Sequence, residues 1–408
     1  MCNFAVNNVT QVRKKTYLDS HSSSSSLPPS HSEKRLYALD LARFIAMIMM
    51  MQGHTLDALV SPSILDTAVF PWNIWTYIRG LTAPVFLMVS GAVHVFVLKR
   101  QHDGSLKRST VQRRLTWALT ILGLGYLMMF PASRIVDLPF VSSKAWHYVL
   151  QVNILQLTGV SLLLLLVTAF FTRSNTRLGW ASLSIALGIF LISPAIHALS
   201  LHEYLPLLLS NFVSFANGSL FPIFPYSGFL FMGVAIGAFL ERHSVEERSA
   251  VIKKYGMRYG ILFWLAAIIN EAFFQIIVKE TIPGPMSPTM MFSRIGFVLM
   301  FFSLCAVIID KLAVWKEHFV FFSGKSLGIY MIHLFLIFGT PWSFGLASFY
   351  AKQTSLELGI VLAIAVIFTT LGLIVLGTHI KERATGRSEK VLKYGIRTAI
   401  TYLFLMGL

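Results

Sequence analysis

The sequence predicts an all-α integral membrane protein, a bundle of about ten or eleven transmembrane helices with a cytoplasmic N-terminus. Composition, long apolar runs and the placement of basic residues between those runs all support this class. Of the 408 residues, 55% are hydrophobic and only 13% are charged, whereas soluble domains carry about 25% charged residues. The mean hydropathy of +0.67 agrees with a chain that lies mostly in lipid.

Apolar runs long enough to cross a bilayer, about 17–25 residues each, recur along almost the whole chain. Because lipid offers no hydrogen-bond partner to the backbone, such runs are expected to form helices. The last run is short, and the sequence leaves open whether it spans. The predicted spans are 36–54, 72–97, 114–131, 148–171, 178–199, 219–240, 258–278, 290–310, 326–342, 355–379 and 396–408.

Connections rich in basic residues alternate along the chain with connections that have few, and this pattern sets the predicted orientation. With a cytoplasmic N-terminus, the outer connections hold only Arg134, Lys144, Lys279 and Lys352. The other connections carry most of the lysines and arginines, which is the positive-inside bias of membrane proteins. The net charge of +16 is therefore no sign of a nucleic-acid partner. A multi-pass membrane protein is predicted.

The chain divides into a polar tail over 1–33 and a multi-span domain over 34–408. The tail is polar, with a serine run at 22–26 and two prolines, and is expected to be disordered. It has no apolar segment before a cleavage site, so it is not expected to be a signal peptide. Cys2 and Cys305 are the only cysteines and cannot form a disulfide framework or a zinc cluster. No Walker motif or metal signature is found, so no metal is expected.

The first span carries ionisable residues along an otherwise apolar helix. Asp40 and Arg43 are three residues apart, hence on one face, and His54 follows eleven residues after the arginine. Ionisable groups inside a span are costly and by default indicate a functional site. Simpler alternatives remain: an interfacial salt bridge for the first two residues, and a boundary position for His54.

Further polar residues fall in the outer half of other predicted spans. If the helices bundle with these faces inward, a cavity is expected. Arg79, Glu271 and Arg294 could instead form a charge-paired structural network. The residues predicted to line the cavity are His54, Arg79, Asn153, Glu271 and Arg294, with Gln156 and Tyr226 as further substrate contacts.

Several segments together resemble a known family. They are 39–43 (LDLAR) with His54, 79–91 (RGLTAPVFLMVSG), 155–159 (LQLTG), 221–228 (FPIFPYSG), and Gly324-Lys325-Ser326 with Tyr330 and His333. In this order they resemble the bacterial heparan-alpha-glucosaminide N-acetyltransferase-like family, over 35 to about 345. The arginine-to-histidine spacing is also similar to acyltransferase type 3 proteins. The resemblance implies a multi-span bundle that takes an acyl group from cytoplasmic acyl-CoA and passes it to a sugar, often on the far side of the membrane. It also implies a location in the bacterial inner membrane.

Two departures from the family bear on the site. The glycine that usually follows the first arginine is Phe44 here, and no histidine lies between Thr55 and Trp72. The role of the family's active histidine can therefore fall only on His54.

The residues support acyl transfer on chemical grounds. A base must take a proton from the acceptor, and a histidine with an unperturbed pKa near 6.5 suits that role. We predict His54 as this base, with Asp57 orienting its ring from three residues further on. Arg79 is predicted to stabilise the developing oxyanion, with Arg294 and Asn153 as other candidates.

The donor is predicted to be acyl-CoA, most simply acetyl-CoA, whose phosphates need cations on the cytoplasmic side. Arg35, Arg43 and the basic segment 107–114 lie there. Tyr330 and His333 could equally be a packed pair with no role in binding. The predicted donor-binding residues are Arg35, Asp40, Arg43, Ser90, Tyr330 and His333.

The predicted function is transfer of an acetyl or other small acyl group from acyl-CoA to a sugar hydroxyl or amine of an envelope glycan or glycolipid. The partners are then acyl-CoA, that acceptor and the lipid bilayer; the oligomeric state, including a homo-oligomer, stays open. A secondary transporter of a small polar solute is the alternative, although no convincing internal repeat is found. A non-catalytic lipid- or glycan-binding protein would also explain a polar cavity.

Overall fold

The structure is a computed structural model that describes residues 35–278, 284–384 and 387–407. The chain divides into two units, Met1–Leu36 and Tyr37–Leu408. The tail predicted over 1–33 lies outside the described residues, so its disorder stays a prediction. Everything that follows concerns the second unit unless stated.

The described residues form α-helices joined by short 3₁₀ and π segments and contain no β-strand, so the predicted all-α class is confirmed. The helices are α1 (Tyr37–Leu59), α2 (Trp72–Arg79), α3 (Thr82–Val97), α4 (Arg108–Met128), α5 (Ser143–Val149), α6 (Ile154–Phe171), α7 (Asn175–Ala198), α8 (Leu207–Val213), α9 (Ile223–Glu241), α10 (Val245–Phe273), α11 (Pro288–Lys311), α12 (Lys316–Ser323), α13 (Ser326–Phe338), α14 (Ala347–Tyr350), α15 (Leu356–Arg383) and α16 (Arg387–Met406).

Seven helical stretches among the described residues are long and apolar enough to cross a membrane, or eight if α12 and α13, bent by 68°, are one broken span. The count predicted from the sequence, ten or eleven, is higher. Each predicted run does coincide with a helix. However, α1, α4 and α16 are not among the seven. Helices α1 and α4 carry ionisable residues, and α16 is charged in its first half. Polar residues that mark candidate sites also lower the hydropathy of their helices.

Helix α1 forms the core of the bundle around the site, since it contacts α3, α11, α12, α13 and α15. Its methionine run provides packing: Met47 and Met51 are fully buried against Ile329 of α13. Methionine has a flexible, polarisable side chain that fills irregular gaps of this kind. The polar residues of α1 are thereby held on a helix that is fixed along its length.

Close backbone contact joins α3 to α9. A Cβ added to Gly91 would lie 2.0 Å from the carbonyl oxygen of Leu230, and one added to Gly233 would lie 2.0 Å from that of Met88. Small residues at a helix interface permit this approach in membranes, where packing rather than water exclusion holds helices together. The glycines of these two helices therefore set the geometry of the crossing.

We expect Gly233→Ala to lower the stability of the protein by about 1–3 kcal/mol, because the added methyl group overpacks the crossing. The apparent melting temperature of the detergent-purified protein measures this loss. Gly188→Ala is the matched control, since nothing lies within 4 Å of a Cβ at that position of α7. Equal melting temperatures for the two variants would contradict the close crossing.

Candidate active site

A cavity of about 790 Å³ lies at the end of the bundle that carries His54, which we call the His54 end. It is formed by α1, α4, α5, α6 and α13 and by the connections that follow α4 and α13. Aromatic and amide side chains dominate its polar wall. Its wall includes His54, Asp57, Phe130, Tyr148, Asn153, Gln156, Tyr330 and Phe335.

His54 lies against a second histidine, His333 of α13. The two ring centres are 5.5 Å apart and the rings meet edge to face. His333 is fully buried, and its Nδ1 donates to the carbonyl oxygen of Ile329 at 2.8 Å. Its Nε2 is buried and has no hydrogen-bond partner among the described residues. The fold therefore brings together two imidazoles from the first and the thirteenth helix.

Asp57 has a different partner from the predicted one. Its carboxylate accepts a 2.8 Å salt bridge from Arg79, and the Arg79 guanidinium lies 4.8 Å from the ring centre of Trp75. The Lys352 ammonium donates to the backbone carbonyl of Asp57. Asp57 lines the cavity beside His54 but is held by Arg79, so the structure shows a charge pair rather than an Asp–His bond.

Two amide residues at the start of α6 share the cavity with His54, as predicted. Asn153 occupies the N-cap position of α6 without a side-chain capping bond, and its amide nitrogen donates to the sulfur of Met129 at 3.5 Å. Gln156, one turn further on, is fully buried. Neither its amide nitrogen nor its amide oxygen has a partner among the described residues. An unpartnered buried amide of this kind is costly unless water or a ligand satisfies it.

The prediction that Arg79, Glu271 and Arg294 line the same cavity is wrong, because none of them belongs to its wall. The Glu271 carboxylate instead accepts a 2.7 Å bond from Gln275, in the π segment that follows α10. Arg294 lies on α11, where its guanidinium approaches Gly80. Depth along a span follows from sequence position, whereas the face that a helix turns to the cavity depends on its packing partners.

Tyr226, predicted as a substrate contact, is also absent from the cavity wall. It is buried in an aromatic cluster, with ring centres 4.9 Å from Phe221 and 6.3 Å from Phe229. Its surroundings are those of a packing residue.

The rim of the cavity includes the end of the last helix. Phe404 of α16 packs on Phe130 and Trp342, with ring centres 4.9 Å and 4.6 Å away. The indole nitrogen of Trp342 donates to the carbonyl oxygen of Ser133 at 2.7 Å. The apolar run at the C-terminus thus ends in a helix that reaches the His54 end.

Several predicted donor-binding residues gather near Arg43, at what we call the Arg43 end. The Arg43 guanidinium donates to the hydroxyl of Ser323 at 3.4 Å, and Asp40 lies within electrostatic range of it. His94, which the sequence reasoning missed, lies within range of both Arg43 and Arg114. Its Nδ1 donates to the carbonyl oxygen of Ser90 at 2.8 Å. The sequence does show a histidine within an otherwise apolar helix, and that pattern could have identified His94.

The remaining predicted donor contacts are spread over the fold. Tyr330 lines the cavity at the His54 end, with its ring centre 5.6 Å from that of His333. Both therefore lie near His54 and not beside Arg43. Arg35 precedes α1 and belongs to the first unit of the chain. Among the described residues, no group of three His, Cys, Asp or Glu side chains could hold a metal ion.

These features define a multi-pass helical membrane protein with an imidazole, carboxylate and amide cavity at one end. The chain belongs to the family described as heparan-alpha-glucosaminide N-acetyltransferase, catalytic, whose model matches residues 35–267, more than half of its length. It is therefore a membrane protein of an acetyltransferase family, and the resemblance seen in the sequence is confirmed. No curated protein and no solved structure matches this chain.

The matched region ends within α10, earlier than the resemblance had suggested. It includes His54, Asp57, Asn153 and Gln156 but not α13. The second histidine of the pair, His333, therefore lies outside the matched part and is connected to the site only through the fold.

Proposed function

We propose that this protein transfers an acetyl or other small acyl group from acyl-CoA to a hydroxyl or amine of an envelope glycan or glycolipid. The observation that carries the proposal is that His54, a base by its chemistry, shares one cavity with Asn153 and Gln156. All three residues lie within the region, 35–267, that matches the acetyltransferase family, which supports the proposal. The protein is proposed to lie in the inner membrane, with the Arg43 end towards the cytoplasm.

In the proposed reaction, His54 accepts the proton of the acceptor hydroxyl or amine as the acceptor atom attacks the thioester carbonyl carbon. The carbon–sulfur bond then breaks, and the departing thiolate takes the proton back from the imidazolium. The products are the acylated acceptor and free CoA, so no further reactant is needed. General base catalysis of this kind typically contributes about 10²–10⁴-fold to the rate.

The donor is proposed to enter from the Arg43 end. Arg43 and His54 lie on the same helix, and eleven residues at 1.5 Å rise separate them by about 16 Å. Arg43 and Arg114 offer positive charge to phosphates, and Ser323 offers a hydroxyl next to Arg43. A nucleotide held there would extend its long pantetheine arm along α1 and place the thioester near His54.

The charge of the cavity favours an uncharged sugar as acceptor. Asp57 is the only charged side chain in its described wall, and Arg79 neutralises it. Beyond the rim, Arg134 holds Asp137 with two 2.9 Å bonds, which keeps the pKa of that carboxyl below its usual range. An anionic acceptor would meet no free cation in this wall, whereas hydroxyl groups would meet amide and phenol partners.

We expect Gln156→Leu to raise the KM for the acceptor about 5–13-fold, because a hydrogen bond contributes about 1–1.5 kcal/mol. The KM for acetyl-CoA should stay within twofold. Initial rates at varied acceptor concentration provide the measurement. Ser161→Ala is the control, since it removes another buried, unpartnered polar group from the same helix outside the cavity wall. Equal acceptor KM values would remove Gln156 from the site.

Labelled acetyl-CoA tests the function itself. Proteoliposomes with acetyl-CoA supplied at the Arg43 end and a neutral glycolipid or oligosaccharide at the other should yield labelled acceptor and free CoA in equal amounts. Uptake of unmodified solute without labelled acceptor would favour the transporter. Binding of acceptor with neither turnover nor uptake would favour a non-catalytic glycan- or lipid-binding protein.

A further inference from the structure

We infer that His333 is a positioning residue that accepts a hydrogen bond from His54 and so fixes the tautomer of the proposed base. The inference rests on the proposed function, and it replaces the predicted role of His333 in donor binding. It starts from two observations: Nε2 of His333 has no hydrogen-bond partner in the described part of the chain, and the two rings meet edge to face.

The tautomer of His333 follows from its backbone contact. A carbonyl oxygen can only accept, so the 2.8 Å bond to Ile329 requires the proton on Nδ1 of the neutral ring. Nε2 is then an acceptor with a free lone pair. His333 is fully buried and is not part of the cavity wall, so a cavity ligand does not reach it directly.

His54 is placed to satisfy that acceptor. An N–H···N bond of about 3 Å between two imidazoles puts their ring centres roughly 5 Å apart, close to the observed 5.5 Å. The two rings are therefore close enough for this bond once the His54 ring turns so that an N–H points along the lone pair of Nε2. Burial makes an unmade hydrogen bond expensive, which favours this rotation when the site is closed by substrate.

This contact has a direct consequence for the base. With one nitrogen of His54 donating to His333, the other nitrogen carries a free lone pair and can face the cavity. The same bond stabilises the imidazolium that forms when His54 takes up a proton. In serine hydrolases an aspartate orients the histidine in this way. Here Asp57 is held by Arg79, so the neutral ring of His333 takes over the orienting role.

Two substitutions separate this role from packing. The amide of Asn overlays Nδ1 of histidine, so His333→Asn keeps the backbone bond and removes the Nε2 acceptor. The longer Gln side chain places an amide oxygen near Nε2. We expect His333→Asn to lower kcat about 10–100-fold, as loss of an orienting partner does in metal sites, with unchanged KM for acetyl-CoA. His333→Gln should recover most of kcat.

His243→Asn is the matched control, because His243 makes the same backbone bond, from Nδ1 to the carbonyl of Phe239 at 3.1 Å, outside the cavity wall. In addition, His333→Asn should cause no further loss when combined with His54→Ala, since a residue that acts only through His54 has no effect without it. A raised KM for acetyl-CoA with normal kcat, or equal losses in the Asn and Gln variants, would overturn the inference.

A readout without turnover distinguishes this inference from the proposed function. Diethyl pyrocarbonate acylates the free lone pair of a neutral imidazole, and peptide mass spectrometry gives the rate at His54. That rate should fall several-fold in His333→Asn and recover in His333→Gln. Equal rates in all three proteins would refute the positioning role. If the modification rates at His54 change as expected but the wild-type protein transfers no acetyl group, the positioning role stands and only the proposed function is contradicted.

Discussion

Replacement of His54 by alanine is expected to reduce acetyl transfer about 10²–10⁴-fold, the typical contribution of a general base. The residue lines the cavity, lies beside a buried imidazole, and is the only histidine in the described wall of the cavity. Transfer of label from acetyl-CoA to the acceptor measures the loss. Binding of CoA should be retained, since the proposed phosphate contacts lie about 16 Å away along α1.

His197→Ala is the control for this experiment. His197 is half-buried and its Nε2 donates to the carbonyl oxygen of Phe224 at 2.9 Å, but it is not part of the cavity wall. It should transfer acetyl groups at the normal rate with a similar melting temperature. Normal transfer by His54→Ala would eliminate the proposed mechanism, and loss of CoA binding in that variant would indicate a folding defect in place of a catalytic one.

The class of fold and the depth of the site could be predicted from the sequence. Long apolar runs dictate helices in lipid, so all eleven runs coincide with helices. Depth follows from counting residues along a span, which correctly grouped His54 with Asn153 and Gln156. These inferences depend only on the local chain and on the rise of a helix.

The direction in which each helix faces could not be predicted in this way. Glu271 and Arg294 have the expected position along their spans but lie on α10 and α11, which pack chiefly on each other and not on the cavity. A pattern that is apolar around the whole helix gives little information about rotation, because both lipid and neighbouring helices accept apolar side chains. Depth alone therefore placed too many residues in one cavity.

Contacts between distant residues were the other limit. Asp57 could be paired with His54 on spacing, yet the fold brings Arg79 to within 2.8 Å of its carboxylate. Likewise, no spacing rule connects His54 to His333, which meet only because α13 packs on α1. The motif that contains Tyr330 and His333 could be recognised in the sequence, but its contact with His54 could not.

The second large effect is expected at the opposite end of α1. Arg43→Ala should raise the KM for acetyl-CoA about 10–100-fold, because hydrogen bonds to charged groups contribute about 1.5–3 kcal/mol. Turnover at saturating donor should change only a few-fold, since the acyl group reacts near His54. Rates measured over a range of acetyl-CoA concentrations separate these two effects.

A truncated donor makes the assignment specific to phosphate. S-acetylpantetheine carries the thioester and the arm but no phosphate, so wild type and Arg43→Ala should use it equally well. Lys253→Ala is the control, because Lys253 is an exposed cation paired with Asp310 and makes no contact with Arg43 or Ser323 in the structure.

Asp40→Asn distinguishes the remaining alternative: if Arg43 serves only to pair with Asp40, this variant should reproduce the Arg43→Ala defect with both donors. A defect confined to acetyl-CoA and to the loss of Arg43 would instead connect the cation to the nucleotide. The arginine and the histidine of α1 would then act on the two ends of one donor molecule.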